Sequence, residues 1–83
     1  MRNEEKFTLV HNGYKVDWFD TMEEVEQEIA KRMEEHKNLN PELRVHDTGK
    51  YTNRYGEEVD CEFRHYFYYT LYSECFLIIK GWL

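Results

Sequence analysis

The chain has 83 residues, with 17 Asp and Glu against 11 Lys and Arg, a formal charge of −6, and 41% apolar and 17% aromatic residues. This length supports one domain with one compact core, read as residues 1–83, and the apolar content excludes a disordered polar chain. The negative balance excludes non-specific binding to nucleic acid or to an anionic membrane, both of which take clustered Lys and Arg. The first residues lack the apolar run of a signal peptide, and the longest aliphatic stretch, Cys75–Ile79, is far below the ~20 residues of a spanning helix. The expectation is a cytoplasmic protein with reduced cysteines.

Lys6–Val10, the turn His11-Asn12-Gly13-Tyr14 and Lys15–Phe19 read as a β-hairpin. Asn12-Gly13 suits a two-residue type I′ turn, in which both positions need positive φ. Asp20 is then placed to cap a helix, with Glu23 reaching back to it. Met22, Val25, Ile29 and Met33 recur at helical spacing, with Ala30 beside them. That narrow apolar stripe predicts a helix with one side on a sheet and the rest in water, running to Lys37 before Asn38, Asn40 and Pro41. Leu43–His46 reads as a short strand extending toward Tyr51, interrupted at Asp47-Thr48-Gly49, and Asn53–Gly56 as a turn.

Glu57–Leu83 holds both cysteines and most of the aromatic residues. Val59, Cys61, Phe63, His65, Phe67, Tyr69 and Leu71 alternate with Asp60, Glu62, Arg64, Tyr66, Tyr68 and Thr70, which is strand periodicity. The stretch is too long for one strand. A reversal is expected at Leu71–Glu74, where Ser73-Glu74 is the polar pair. Beyond it, Cys75, Leu77 and Ile79 on one face and Phe76, Ile78 and Trp82 on the other are apolar. The assembly predicted is α+β, ββαβββ: a five-stranded antiparallel sheet with one helix on one face. Val59, Phe63 and Phe67 are expected under the helix, leaving Tyr66, Tyr68, Tyr72 and Trp82 on the open face.

His11, His36, His46, His65, Cys61 and Cys75 raise metal binding, but no C-x-x-C or H-x-x-x-H spacing is present, so no metal or cofactor is assigned. Cys61 and His65 share a strand face with Phe63 between them and read as core residues. Cys75 approaches His65 across the hairpin if the turn falls near Thr70, yet no oxyanion-hole motif accompanies them. The glycines at 13, 49, 56 and 81 are too scattered for a phosphate loop. No catalytic residue is assigned.

Two features point to binding. Asp17, Asp20, Glu23, Glu24, Glu26 and Glu28 form an anionic band with no Lys or Arg from Val16 to Ala30. Part of it suits the helix dipole, but Glu24 and Glu28 are like charges one turn apart, held at a small cost. Tyr66, Tyr68, Tyr72 and Trp82 are residue types enriched at protein interfaces.

The segment 7–28, FTLVHNGYKVDWFDTMEEVEQE, resembles small acidic phage and mobile-element accessory proteins of the anti-CRISPR and anti-restriction type. The shared pattern is a hairpin with a tight Gly turn, an F-D-T cap and an acidic amphipathic helix. The resemblance implies a phage-encoded inhibitor without enzymatic activity in the host cytosol. Its partner would be a host defence enzyme with a basic nucleic-acid-binding surface, met by carboxylates in place of phosphates. The alternative is a homodimeric interaction module joined through the open sheet face, without mimicry.

Overall fold

The structure, a computed structural model, describes residues 6–69 and 72–81. Its elements are β1 (Phe7–His11), β2 (Tyr14–Phe19), α1 (Met22–Met33), a 3-10 segment (Glu34–Leu39), β3 (Glu42–Thr52), β4 (Glu58–Tyr69) and β5 (Tyr72–Lys80). The strands form one five-stranded antiparallel sheet in the order β2-β1-β5-β4-β3. The fold is therefore the α+β, ββαβββ arrangement that the sequence predicts.

The first hairpin turns at Asn12 and Gly13, with φ of 50° and 88°, the left-handed pair a type I′ turn requires. A bulge beside Leu9 and Val10 gives β2 one extra residue. It sets Lys15 and Trp18 on one face, with the Lys15 ammonium 4.4 Å from the indole centroid. The helix cap falls one residue later than the sequence suggests. Thr21 Oγ1 accepts from the Glu24 N–H at 3.1 Å, and the Glu24 carboxylate accepts from the Thr21 N–H. Asp20 instead pairs with Lys6. A threonine cap with glutamate three residues on satisfies two orphan donors reciprocally, which Asp20 with Glu23 does not.

The α-helix ends at Met33 and tightens to 3-10 geometry until Asn40, whose φ of 52° stops it. Asp47–Gly49 does not interrupt β3, because each of these residues pairs in register with β4; the irregularity lies at Arg44. The turn before β4 is built on Asn53, whose Oδ1 accepts from the N–H groups of Tyr55 and Glu57. Tyr69 pairs with Tyr72, so the chain reverses between them, ahead of Ser73-Glu74; residues 70 and 71 lie outside the described residues.

Val25 and Ile29 of α1 meet Leu9 of β1 and Phe76 and Ile78 of β5 in one buried cluster, flanked by Phe7, Val16, Phe19, Met22, Met33 and Tyr66. The core thus sits where the first hairpin meets β5. Over β4 and β3 it gives way to polar contacts.

Candidate functional site

The registers decide which side chains share a face. Leu9 pairs with Ile78, His11 with Phe76, Phe76 with Arg64, and Glu74 with Tyr66. These residues face α1. Val10, Leu77 and Phe63 form the opposite set, together with Cys75 and His65. The helix therefore covers the Arg64–Tyr66–Tyr68 face of β4, and among the described residues no helix packs over the Val59–Phe67 face, the reverse of the sequence expectation.

The physical reason lies in pairing. Arg64 is 9% exposed, and its guanidinium grips the Glu26 carboxylate of α1 through two contacts of 2.8 and 2.5 Å while its Nε donates to Glu62 at 2.6 Å. A buried cation so satisfied can lie beneath an acidic helix. Alternation of apolar and polar residues cannot see that partner. The signal available in the sequence was Arg64 itself, an isolated cation opposite an acidic helix.

Tyr68 donates to Glu74, and burial, then that carboxylate, pushes its phenol well above the ordinary range. His36 of the 3-10 segment packs edge-on against Tyr68 and Tyr72, with ring centroids 5.7 and 5.0 Å apart. Tyr66 meets Phe76 edge-on. None of these three tyrosines lies on the open face, and Trp82 lies outside the described residues.

The anionic band is largely engaged within the chain. Asp20 pairs with Lys6, Glu24 closes the cap, Glu26 holds Arg64, and Glu28 pairs with Arg32 at 2.8 Å. Asp17 turns back onto the Trp18 N–H, and Glu23 is exposed outside these contacts. The Arg64 hydrogen bonds hold the Glu26 carboxyl below its ordinary value of 4.5. A lowered folded value stabilises the fold above the unfolded value, and that gain is lost as pH falls through the folded one. Glu26 is 49% exposed, so solvent screening limits the contribution to about 1 kcal/mol. Chemical denaturation of Glu26→Gln is expected to show that deficit at neutral pH and to converge with the parent below pH 4.5. A gap that persists in acid would exclude the charged pair as its cause.

A second polar chain crosses the layers. Arg32 Nη1 lies 3.3 Å from His11 Nδ1, and His11 Nε2 lies 2.9 Å from Glu74 Oε1. A guanidinium only donates, so Nδ1 stands as the acceptor in that contact and Nε2–H as the donor to Glu74. Its ring stacks on Phe76, with centroids 4.4 Å apart.

The uncovered face carries Val10, Val45, Val59, Cys61, Phe63, His65, Phe67, Cys75 and Leu77, all half-buried. Arg44 stands over Phe67 at 4.9 Å. His65 Nε2 bonds Ser73 Oγ at 3.0 Å, and burial pushes the paired Cys75 thiol up, away from thiolate. Cys61 pairs with Ile79, four positions from Cys75 along β5, or ~13 Å at strand rise. That separation is too great for a disulfide. On the helix side, a cleft of about 500 Å³ opens beside the helix start, between Phe7, Met22 and Ile78 and the exposed Lys50–Asp60 pair.

Among the described residues, no three His, Cys, Asp or Glu side chains converge as metal ligands. Among the same residues, no helix is long and apolar enough to cross a membrane. The chain shows no significant match to any protein-family model, curated protein or solved structure. What the geometry defines is an α+β domain with one sheet face under a helix and, among the described residues, no helix over the other.

Proposed function

We propose that the chain is a non-enzymatic protein-binding module whose contact surface is the uncovered face of the sheet. One observation carries this reading: Val10, Phe63, Phe67 and Leu77 stand half-buried together on that face, while Tyr66, Tyr68, Tyr72 and most of the helix carboxylates are engaged inside the chain. A contiguous apolar patch on a small acidic protein is where a partner gains most from excluding water. The net charge of −6 disfavours nucleic acid as that partner.

A second reading keeps the inhibitor of a basic, nucleic-acid-handling host enzyme. The exposed carboxylates of Asp17 and Glu23 beside the helix start support it. Reversing Glu24 would be a poor test, since the change would also dismantle the cap. Affinity capture from bacterial lysate separates the readings, using the parent, Phe63→Asp, and Asp17→Lys with Glu23→Lys. The first reading expects Phe63→Asp to lose the captured protein and the charge reversal to keep it. The opposite pattern, with loss in high salt, transfers the function to the acidic edge. Retention by both variants would refute both readings.

A further inference from the structure

Resting on the sheet-face reading, we propose that the occupant of this face is a second copy of the chain. The two copies would pack face to face about a two-fold axis running along the strands through β5. The argument starts from register. Lys15 pairs with Val10, Val10 with Leu77, Leu77 with Phe63, and Phe63 with Asp47. One row across the sheet therefore reads cation, three apolar side chains, carboxylate, with Lys15 and Asp47 exposed and the three between them half-buried.

A rotation of 180° about an axis along the strands places β2 of one copy over β3 of the other and leaves β5 on itself. Lys15 then faces the partner's Asp47 at both ends, Val10 faces the partner's Phe63, and Leu77 meets the partner's Leu77. The row is complementary to its own reverse in charge and in polarity. A two-fold axis perpendicular to the strands would set β2 on β2 and β3 on β3, and no such pairing of opposite charges would follow. Sheets in sandwiches pack with their strands within about 30° of each other, which the strand-parallel axis permits.

All five strands share only the rows Phe76–Lys80 of β5, about 19 Å across and about 13 Å along at ordinary strand spacing and rise. That is on the order of 250 Å² in projection, below the ~800 Å² per partner of a standard interface, so the pairing is of the weak, concentration-dependent kind. Thr8 and Ile79 on this face are already fully buried in the single chain. The accessible strip accordingly runs from the Leu77 row toward Phe67 along β4, where His65 meets Phe63 edge-on and Phe67 at a tilt, with centroids 6.1 and 4.4 Å apart. β1 ends at the Phe76 row, so Phe63 lies against the partner while His65 and Phe67 extend past the partner's β1. The −6 charge on each copy opposes association at long range, so pairing is expected to strengthen as salt rises until the end contacts are themselves screened.

The test is a charge swap read by sedimentation equilibrium from micromolar to submillimolar concentration, with circular dichroism confirming the fold. The parent is expected to rise from its chain mass toward twice that mass across this range. Lys15→Asp alone and Asp47→Lys alone each put like charges opposite one another, and each should raise the dissociation constant about tenfold. Mixing these two variants should restore dimers, because each then supplies the charge the other lacks. Both positions are exposed, so loss of folding does not confound the result. A monomeric parent overturns the proposal, and if capture through Phe63 still succeeds the binding-module reading survives that failure. A dimer indifferent to both swaps overturns it equally, since the axis would then lie elsewhere.

Discussion

Phe76→Ala is expected to destabilise the domain by about 4 kcal/mol, as large aromatic truncations in closed cores do. The ring is fully buried and lies in the one cluster that joins β1, β5 and α1. It also supports the stacked His11 imidazole and the edge of Tyr66. The cavity would be lined from both layers, by Leu9 and Ile78 of the sheet and by Val25 and Ile29 of the helix, which cannot all collapse inward. A domain of this size holds roughly 4–12 kcal/mol in total, so the variant should melt about 20 °C lower or not fold at all. Phe63→Ala, on the uncovered face, is the control. Followed by thermal circular dichroism at a concentration where the chain is monomeric, it should cost less than half as much. Equal losses at the two positions would mean that the core is not where the structure puts it.

The second large effect is expected at Glu74, whose side chain is 4% exposed and accepts from both His11 and Tyr68. Glu74→Ala strands two buried donors at a cost of about 3 kcal/mol. Glu74→Gln should lie within about 1 kcal/mol of the parent, because an amide still accepts from the imidazole Nε2–H and can donate to a rotated tyrosine hydroxyl. Urea midpoints at neutral pH with an unchanged slope would check this. If glutamine falls as far as alanine, the contact depends on the carboxylate charge and not on the accepting oxygen alone.

The elements with local causes were legible in the sequence. Asn12-Gly13 announced its turn, Met22 to Met33 its helix, and Asn53–Gly56 the reversal before β4. The buried residues of α1, Val25 and Ile29, fall on the predicted stripe. What failed was the choice of face for β4. Alternation shows that Phe63 and Arg64 point opposite ways, but not which of them meets the helix, because that depends on a carboxylate 38 positions earlier in the chain. The tyrosines followed the same error: Tyr68 is buried because Glu74, across the hairpin, accepts its hydroxyl. Asp47–Gly49 looked like a break only in isolation, since β4 supplies a continuous ladder opposite it. The anionic band was real as composition, yet much of it is fastened to Lys6, Arg32, Arg64 and the helix cap.

The strand order has a consequence for the history of each molecule. β5 is made after the other described elements, yet it lies in the middle of the sheet, between β1 and β4. Until it emerges from the ribosome, the first hairpin with its helix and the β3–β4 pair have no strand in common. Each would present β1 or β4 as an unprotected edge, open to other chains. Pairing β5 with β1 brings together residues at least 65 positions apart, His11 and Phe76 being the nearest pair in sequence, which places this sheet among slow, non-local folders. The last strand therefore acts as a keystone, and the interval before it is seated is when a newly made chain is most exposed to misassembly.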